Sequence, residues 1–285
     1  MSVFFSDQAI AKLIQEDIPY LDLTTFALEI GDQHGEIEFS TRHPMTVCAT
    51  EEAARVFQYC NATVNYQVAS GTFLEEKQLI LQASGNAQAL HIAWRVALNL
   101  MEYTSGIASR TRELVQAAKS VNPVVAVVTT RKSFPGTKPL SVKAILAGGA
   151  APHRLGLSET ILIFKQHLIF IGGIAGLTEH LAKMRQRFPE QQICIEVETE
   201  VDAWLVAEAG VDLIQIDKVS VAELNKLIPQ LRQQYPKLKL AVAGGINPAN
   251  IKEYAATGVE ILVTSYPYFG KPADIAARME AGGRV

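Results

Sequence analysis

The chain has 285 residues, of which 48% are apolar and 19% charged, so it can bury a large core and is unlike disordered or fibrous chains. Its net charge of −3, with no block of like charges, offers no field suited to nucleic acid, so any anion site is local. Cys48, Cys60 and Cys194 lie far apart without CxxC spacing, which excludes a zinc knuckle or disulfide framework and fits core thiols in a reducing compartment.

The first residues, MSVFFSDQAIAKLIQED, carry acids early and do not read as an export signal. A first helix extends to about Asp17. Strand-like stretches follow at Gly35–Phe39, Thr46–Cys48, Thr63–Val68 and Gln78–Ala83, with a helix at Thr50–Tyr59, together an α+β unit. A long helical pattern runs from about Ala87 to Met101, then Thr104-Ser105-Gly106 predicts a break, and a further helix reaches Lys119.

After Asn122-Pro123 the pattern changes to short apolar runs at Val124–Val128, Thr160–Ile163, Cys194–Val197, Leu213–Ile216, Leu238–Val242 and Ile261–Val263. Such near-continuous Val/Ile/Leu runs suit parallel strands buried on both faces. Helical periodicity at Leu177–Arg187, Val201–Ala209 and Val221–Gln234 alternates with them, which predicts a parallel sheet, as a barrel or a doubly wound fold. No run reaches the roughly 18 apolar residues of a membrane span, so a soluble, cytoplasmic protein is expected.

Polar residues or glycines close nearly every run: Thr130-Arg131-Lys132, Glu196 and Glu198, Asp217-Lys218, Gly244-Gly245, Thr264-Ser265. Charges also sit where strands merely meet solvent, but in a parallel barrel these ends share one rim, where barrel enzymes place their chemistry. Arg131-Lys132 precedes a Pro-Gly turn, and His153-Arg154 follows the small-residue loop Gly148–Ala151, so two cationic pairs suggest an oxyanion pocket. Arginine suits carboxylates and phosphates through its two parallel donors, whereas lysine acts as a point charge.

Strand alternation puts Glu196 and Glu198 on one face, with Asp217 ending the next strand. Such carboxylates suit Mg²⁺ bound with substrate phosphates, or positive charge developing on a sugar. Gly244-Gly245 before Ile246–Asn250 resembles a barrel phosphate loop. Ile171–Gly176 lacks the full GxGxxG pattern and its flanking βαβ unit, which argues against a dinucleotide site. His153 and His167 could orient an anion, while His34, His43, His91 and His180 show no metal-ligand spacing.

These residues, with Glu16–Thr25, Arg95–Asn99, Ser105–Ala108, Pro135-Gly136, Arg154–Leu157 and Ile195–Glu198, occur in an order that resembles the quinolinate phosphoribosyltransferase family along nearly the whole chain. The resemblance is strongest to a branch associated with molybdate-uptake operons, through the tail Ser265–Tyr268 and Lys271–Asp274. It implies an N-terminal α/β sandwich domain over residues 1–107, joined by the tail 270–285, and an open parallel, TIM-like α/β barrel over 108–269. It also implies a homodimer with a shared active site, or a higher homo-oligomer, in which Arg95 serves the partner.

By the same resemblance Arg131, Lys132, Lys138, His153, Arg154 and Lys165 contact the acceptor or sugar phosphates, Glu196 and Asp217 bind Mg²⁺ and ribose, and Gly244 and Gly245 hold a phosphate. The implied reaction joins a small-molecule acceptor to phosphoribosyl pyrophosphate; in the family the acceptor is a pyridine dicarboxylate that loses its 2-carboxylate as CO₂. Nucleic acid and membrane are not implied as partners.

The chain departs from the family pattern at Trp94, Thr129, Pro152, Thr137-Lys138, Ser141-Val142 and Ala243. Most telling, the family's strand-end lysine falls on Phe164, with Lys165 one position later; if the strand continues, Lys165 faces away. A charged hydrogen bond is worth roughly 1.5–3 kcal/mol, so its loss weakens a dicarboxylate by about one to two orders of magnitude. The leading expectation is therefore phosphoribosyl transfer to a different acceptor. The alternatives are true decarboxylating quinolinate transfer and a non-catalytic nucleotide or oxyanion binder linked to molybdate uptake.

Overall fold

The computed structural model describes residues 3–282. The first elements are α1 (Asp7–Asp17), α2 (Leu23–Ala27), β1 (His34–Thr41), β2 (Met45–Thr46), α3 (Thr50–Tyr59), β3 (Thr63–Gln67), β4 (Phe73–Leu74) and β5 (Leu79–Asn86). Next come α4 (Ala87–Lys119), β6 (Ala126–Thr129), α5 (Lys138–Ala147), β7 (Ala151–Pro152), β8 (Ile161–Ile163) and α6 (Lys165–Leu168). After α7 (Leu177–Arg187) follow β9 (Ile193–Val197), α8 (Glu200–Glu208), β10 (Leu213–Asp217), α9 (Val221–Gln234), β11 (Lys239–Ala243), α10 (Ile251–Ala256), β12 (Ile261–Thr264) and β13 (Ile275–Ala281).

Two compact units result: one comprises the chain up to Arg112, Ser133–Gly149 and the chain from Pro267, the other Glu113–Lys132 and Ala150–Tyr266. In the first, an antiparallel sheet of order β13-β1-β5-β3 rests on α3. Strand β1 alternates buried and less buried residues, sending Ile37 and Phe39 into the core, where Phe39 meets Phe57 of α3 edge to face at 5.9 Å. That alternation is what one covered face requires.

Helix α4 is unbroken, against the break expected at Thr104–Gly106. The Thr104 hydroxyl donates to the Leu100 carbonyl at 2.6 Å and to that of Cys48 at 3.0 Å, and Ser105 Oγ accepts from the Cys48 N–H at 2.9 Å. Both side chains thus tie the helix to its neighbours instead of diverting its backbone. Gly106 serves a close approach, because a Cβ there would stand 2.9 Å from the Lys271 carbonyl oxygen.

The grouping differs from the expected 1–107 and 108–269 chiefly in Ser133–Gly149. Lys143 of α5 is 4% exposed and forms ion pairs with Glu51, at 2.8 Å, and with Glu52 of α3. At the end of the helix, a Cβ on Gly148 would stand 2.6 Å from the Ala108 carbonyl oxygen of α4. These contacts bind α5 to the first unit although its residues fall between two strands of the second.

The second unit is a seven-stranded parallel sheet curled into a half-barrel, order β7-β6-β12-β11-β10-β9-β8. Its helices start where caps permit: Thr199 Oγ1 accepts from the Asp202 N–H, and Ser220 with Glu223 forms a capping box on α9. Alternate strand residues Val128, Leu162, Cys194, Leu213, Ala241, Ala243 and Val263 form one apolar cluster inside the curl. Because every strand runs in the same direction, all C-terminal ends reach one rim. Among the described residues, no helix is long and apolar enough to cross a membrane.

Candidate active site

The acidic half of the rim stands on β9 and β10. Their register pairs Glu196 with Gln215, so both share the inner face with Cys194 and Asp217. Gln215 Nε2 donates to Glu196 Oε2 at 2.5 Å. Burial and the charge of Asp217 push the Glu196 carboxyl up, while the Gln215 donor opposes the rise. Asp217 is 9% exposed and pairs through Oδ2 with Lys218 Nζ at 2.7 Å. Glu198 lies just past the end of β9, exposed, instead of within the strand.

The cationic half stands on β6, β7 and β8. Arg131 and Lys132 follow β6 and are exposed. The His153 N–H donates to the Thr129 carbonyl at 2.9 Å and fixes the start of the His153-Arg154 turn. Pro152 causes no loss because β7 is the sheet edge, where a missing N–H is tolerated. The Arg154 guanidinium lies over the Phe164 ring, 5.7 Å from its centroid. Burial and then Arg154 push the His153 imidazole down from its ordinary value. Arg154 is itself lowered by burial and by Arg131, a sign that the two guanidinia share a field.

Phe164 is where the expected strand geometry fails. Strand β8 ends at Ile163, Phe164 caps α6, and Lys165 opens that helix. Lys165 therefore follows no strand alternation, and its Nζ lies 3.7 Å from Glu198 Oε2 at the rim. His167 Nδ1 accepts from the Phe164 N–H at 3.0 Å and its ring stacks on that of Phe164, so it secures the aromatic.

Gly244 and Gly245 follow β11 with φ of 99° and 75°, conformations open to glycine. A Cβ on Gly244 would sit 2.6 Å from the Lys218 N, so this glycine lets the Lys218 backbone pack against the loop. The Gly245 carbonyl accepts from the side-chain amides of Asn247 at 2.8 Å and Asn250 at 3.1 Å, which stiffens the turn.

Of the expected site residues, the half-barrel thus carries Arg131, Lys132, His153, Arg154, Lys165, Glu196, Asp217, Gly244 and Gly245. Arg95 and Lys138 belong to the first unit. There Arg95 lies over the ring of Trp94, 5.0 Å from its centroid. Sequence reasoning passed over Gln215, although a glutamine inside the apolar run Leu213–Ile216 is itself a signal.

Among the described residues no three histidine, cysteine or carboxylate side chains are placed to hold a metal alone. Two carboxylates with one oxygen each engaged suit Mg²⁺, which commonly takes one or two carboxylates together with water and substrate phosphates.

A parallel half-barrel with paired carboxylates and clustered guanidinia at its C-terminal rim suits an anionic substrate, and the family match that follows makes it an enzyme of the pentosyl-transferring class. Residues 22–105 match the family description "Quinolinate phosphoribosyl transferase, N-terminal domain" and residues 107–277 its "C-terminal domain". The chain belongs to the quinolinate phosphoribosyl transferase family.

Among curated relatives it is 39% identical to "Putative pyrophosphorylase ModD" of Rhodobacter capsulatus, over 86% of this chain and 93% of that one. It is 34% identical to the protein of the same description from Pasteurella multocida, over 98% and 99%. In fold it is similar to the nicotinate-nucleotide pyrophosphorylase structure from Ehrlichia chaffeensis, with a TM-score of 0.89, 24% identity and 98% and 100% coverage. The Francisella tularensis counterpart gives a TM-score of 0.87 at 24% identity, over 96% and 95%. The oxyanion-binding alternative gains no support from these likenesses.

Proposed function

We propose that the chain transfers the phosphoribosyl group of a pyrophosphate-activated donor to a heterocyclic acceptor other than quinolinate. The observation that carries this reading is the Arg154 guanidinium over the Phe164 ring, at the position that the sequence resemblance matches to the family's strand-end lysine. A guanidinium beside an aromatic ring favours a flat ring with one anionic group over a dicarboxylate, which needs cations at two separated points.

Arg131, Lys132 and Arg154 bind the anionic groups and hold the acceptor in line with the sugar. The Gly244–Gly245 turn takes a phosphate. Glu196 and Asp217 would hold Mg²⁺, which screens the pyrophosphate charge, and they face the positive charge that develops on the sugar. A ring nitrogen lone pair forms the new bond to the anomeric carbon as the carbon–oxygen bond breaks, and pyrophosphate leaves with that electron pair. A homodimer in which Arg95 serves the partner copy belongs to the same reading. The likeness to relatives described as pyrophosphorylases supports the donor chemistry.

Calorimetry with phosphoribosyl pyrophosphate and Mg²⁺, then with quinolinate, on wild type and Arg131→Ala tests the reading. Donor binding that needs Mg²⁺ and Arg131, without quinolinate binding, is the expected result; failure of the donor to bind would overturn it. Release of CO₂ from quinolinate would favour a second reading, the decarboxylating transfer, for which the Lys165 ammonium at the rim speaks.

A further inference from the structure

Gln215 is 4% exposed on the inner face of β10, where its neighbours Cys194, Leu213 and Ala241 form an apolar cluster. Its Nε2 donates to Glu196 Oε2 at 2.5 Å, whereas its Oε1 is buried with no hydrogen-bond partner among the described residues. An amide acceptor shut away from water without a donor lowers stability, and a leucine or methionine would suit this cluster better. What the amide does achieve is directional. Glu196 has the negative charge of Asp217 beside it, and Gln215 engages its Oε2, which restricts how the carboxylate can turn.

We propose that Gln215 is a positioning residue: its amide locks the Glu196 carboxylate in the orientation that receives the phosphoribosyl donor, at a cost in stability. This rests on the assignment of Glu196 to donor binding made above. A buried polar group kept against packing preference, with one half spent on a rim carboxylate, is the pattern of a residue retained for function.

Gln215→Met and Gln215→Leu, in the full chain, separate this role from a merely structural one. The expected result is a melting temperature equal to or above that of wild type, together with an affinity for phosphoribosyl pyrophosphate and Mg²⁺ lower by about 10–100-fold. Crystal structures of the unliganded variants should show the Glu196 carboxylate turned or spread over more than one orientation. A fall in melting temperature in both variants, or failure of both to fold, would mean that Gln215 is structural and would overturn the proposal. So would a Glu196 carboxylate that stays in place, or wild-type affinity in the variants. If wild type itself does not bind the donor, the transferase reading fails instead, and melting and Glu196 orientation still decide the role of Gln215.

Discussion

Lys143 and Glu52 meet as an ion pair with both side chains out of solvent, at 4% and 5% exposure, and Glu51 joins them at 2.8 Å from the same ammonium. A buried pair gains little over apolar packing, but removing one member leaves the other charged and unpaired. Lys143→Met should therefore destabilise the fold by about 3–5 kcal/mol, and adding Glu52→Leu should recover most of the loss. Denaturant titration of the single and double variants checks this; equal loss in both would refute it.

The same cluster sets an acid limb. Burial pushes the Glu51 carboxyl up, but hydrogen bonds from Lys143 and Ser70 outweigh it and hold the group at about 2, against an ordinary 4.5. A depressed folded pKa gives stability that is present above the unfolded value and lost as pH falls. The contribution of Glu51 should thus fade between about pH 4.5 and 2. Stability measured against pH in Lys143→Met should be flatter across that window.

Gly106 lies within α4, where exchange for alanine ordinarily gains about 1 kcal/mol. A Cβ here would stand 2.9 Å from the Lys271 carbonyl oxygen and 3.0 Å from the Ala273 N. Overpacking of this kind costs about 1–3 kcal/mol, so the net change should be destabilising. A stabilised Gly106→Ala would show that the chain after Lys271 yields easily.

The two rim glycines should differ. Both have positive φ, but a Cβ on Gly244 meets the Lys218 backbone at 2.6 Å, whereas one on Gly245 meets nothing within 4 Å. Gly244→Ala should cost roughly 2–4 kcal/mol and Gly245→Ala about 1–2 kcal/mol. Thermal unfolding of the two variants side by side reads the difference.

His153 should titrate below 6.5 in wild type, depressed first by burial and then by Arg154. In Arg154→Met its midpoint, followed by NMR of the imidazole, should move up yet stay below the ordinary value, since burial remains. An unchanged midpoint would place the guanidinium too far away to act.

Hydrophobic periodicity, joined on α9 by a capping box, made much of the fold legible. The bounds of α3, α7 and α9 fall where the pattern puts them, and strands β6 and β8 to β12 fall within two residues of it, whereas the short edge strand β7 lies in what the sequence presents as a small-residue loop. Helix α5 escaped because its covered side holds Ser141 and Lys143, so no apolar stripe marks it. Strand β13 alternates too weakly to stand out. At the site, residue types at strand ends disclosed the acids and cations. Distances among them depend on where each strand stops: β8 stops before Phe164 and Lys165 opens a helix, so the condition under which Lys165 would face away, a continuing strand, is not met. Gln215 interrupts the apolar run Leu213–Ile216 in the sequence, but its bond to Glu196 depends on the strand register and shows only in the structure.

The three-piece make-up of the first unit has a consequence for synthesis. Strand β1 pairs on one side with β5 and on the other with β13, along Gly35–Thr41 and Ile275–Ala281. A nascent chain paused anywhere before Ile275 presents β1 with an open edge, and one paused before Lys138 also lacks the cation that neutralises Glu52. Strand β1 is thus completed only when β13 arrives, while strands β6 to β12 already have all their neighbours. Long-range closure of this kind is slow, so the interval before β13 arrives is when the β1 edge is most open to pairing with another chain.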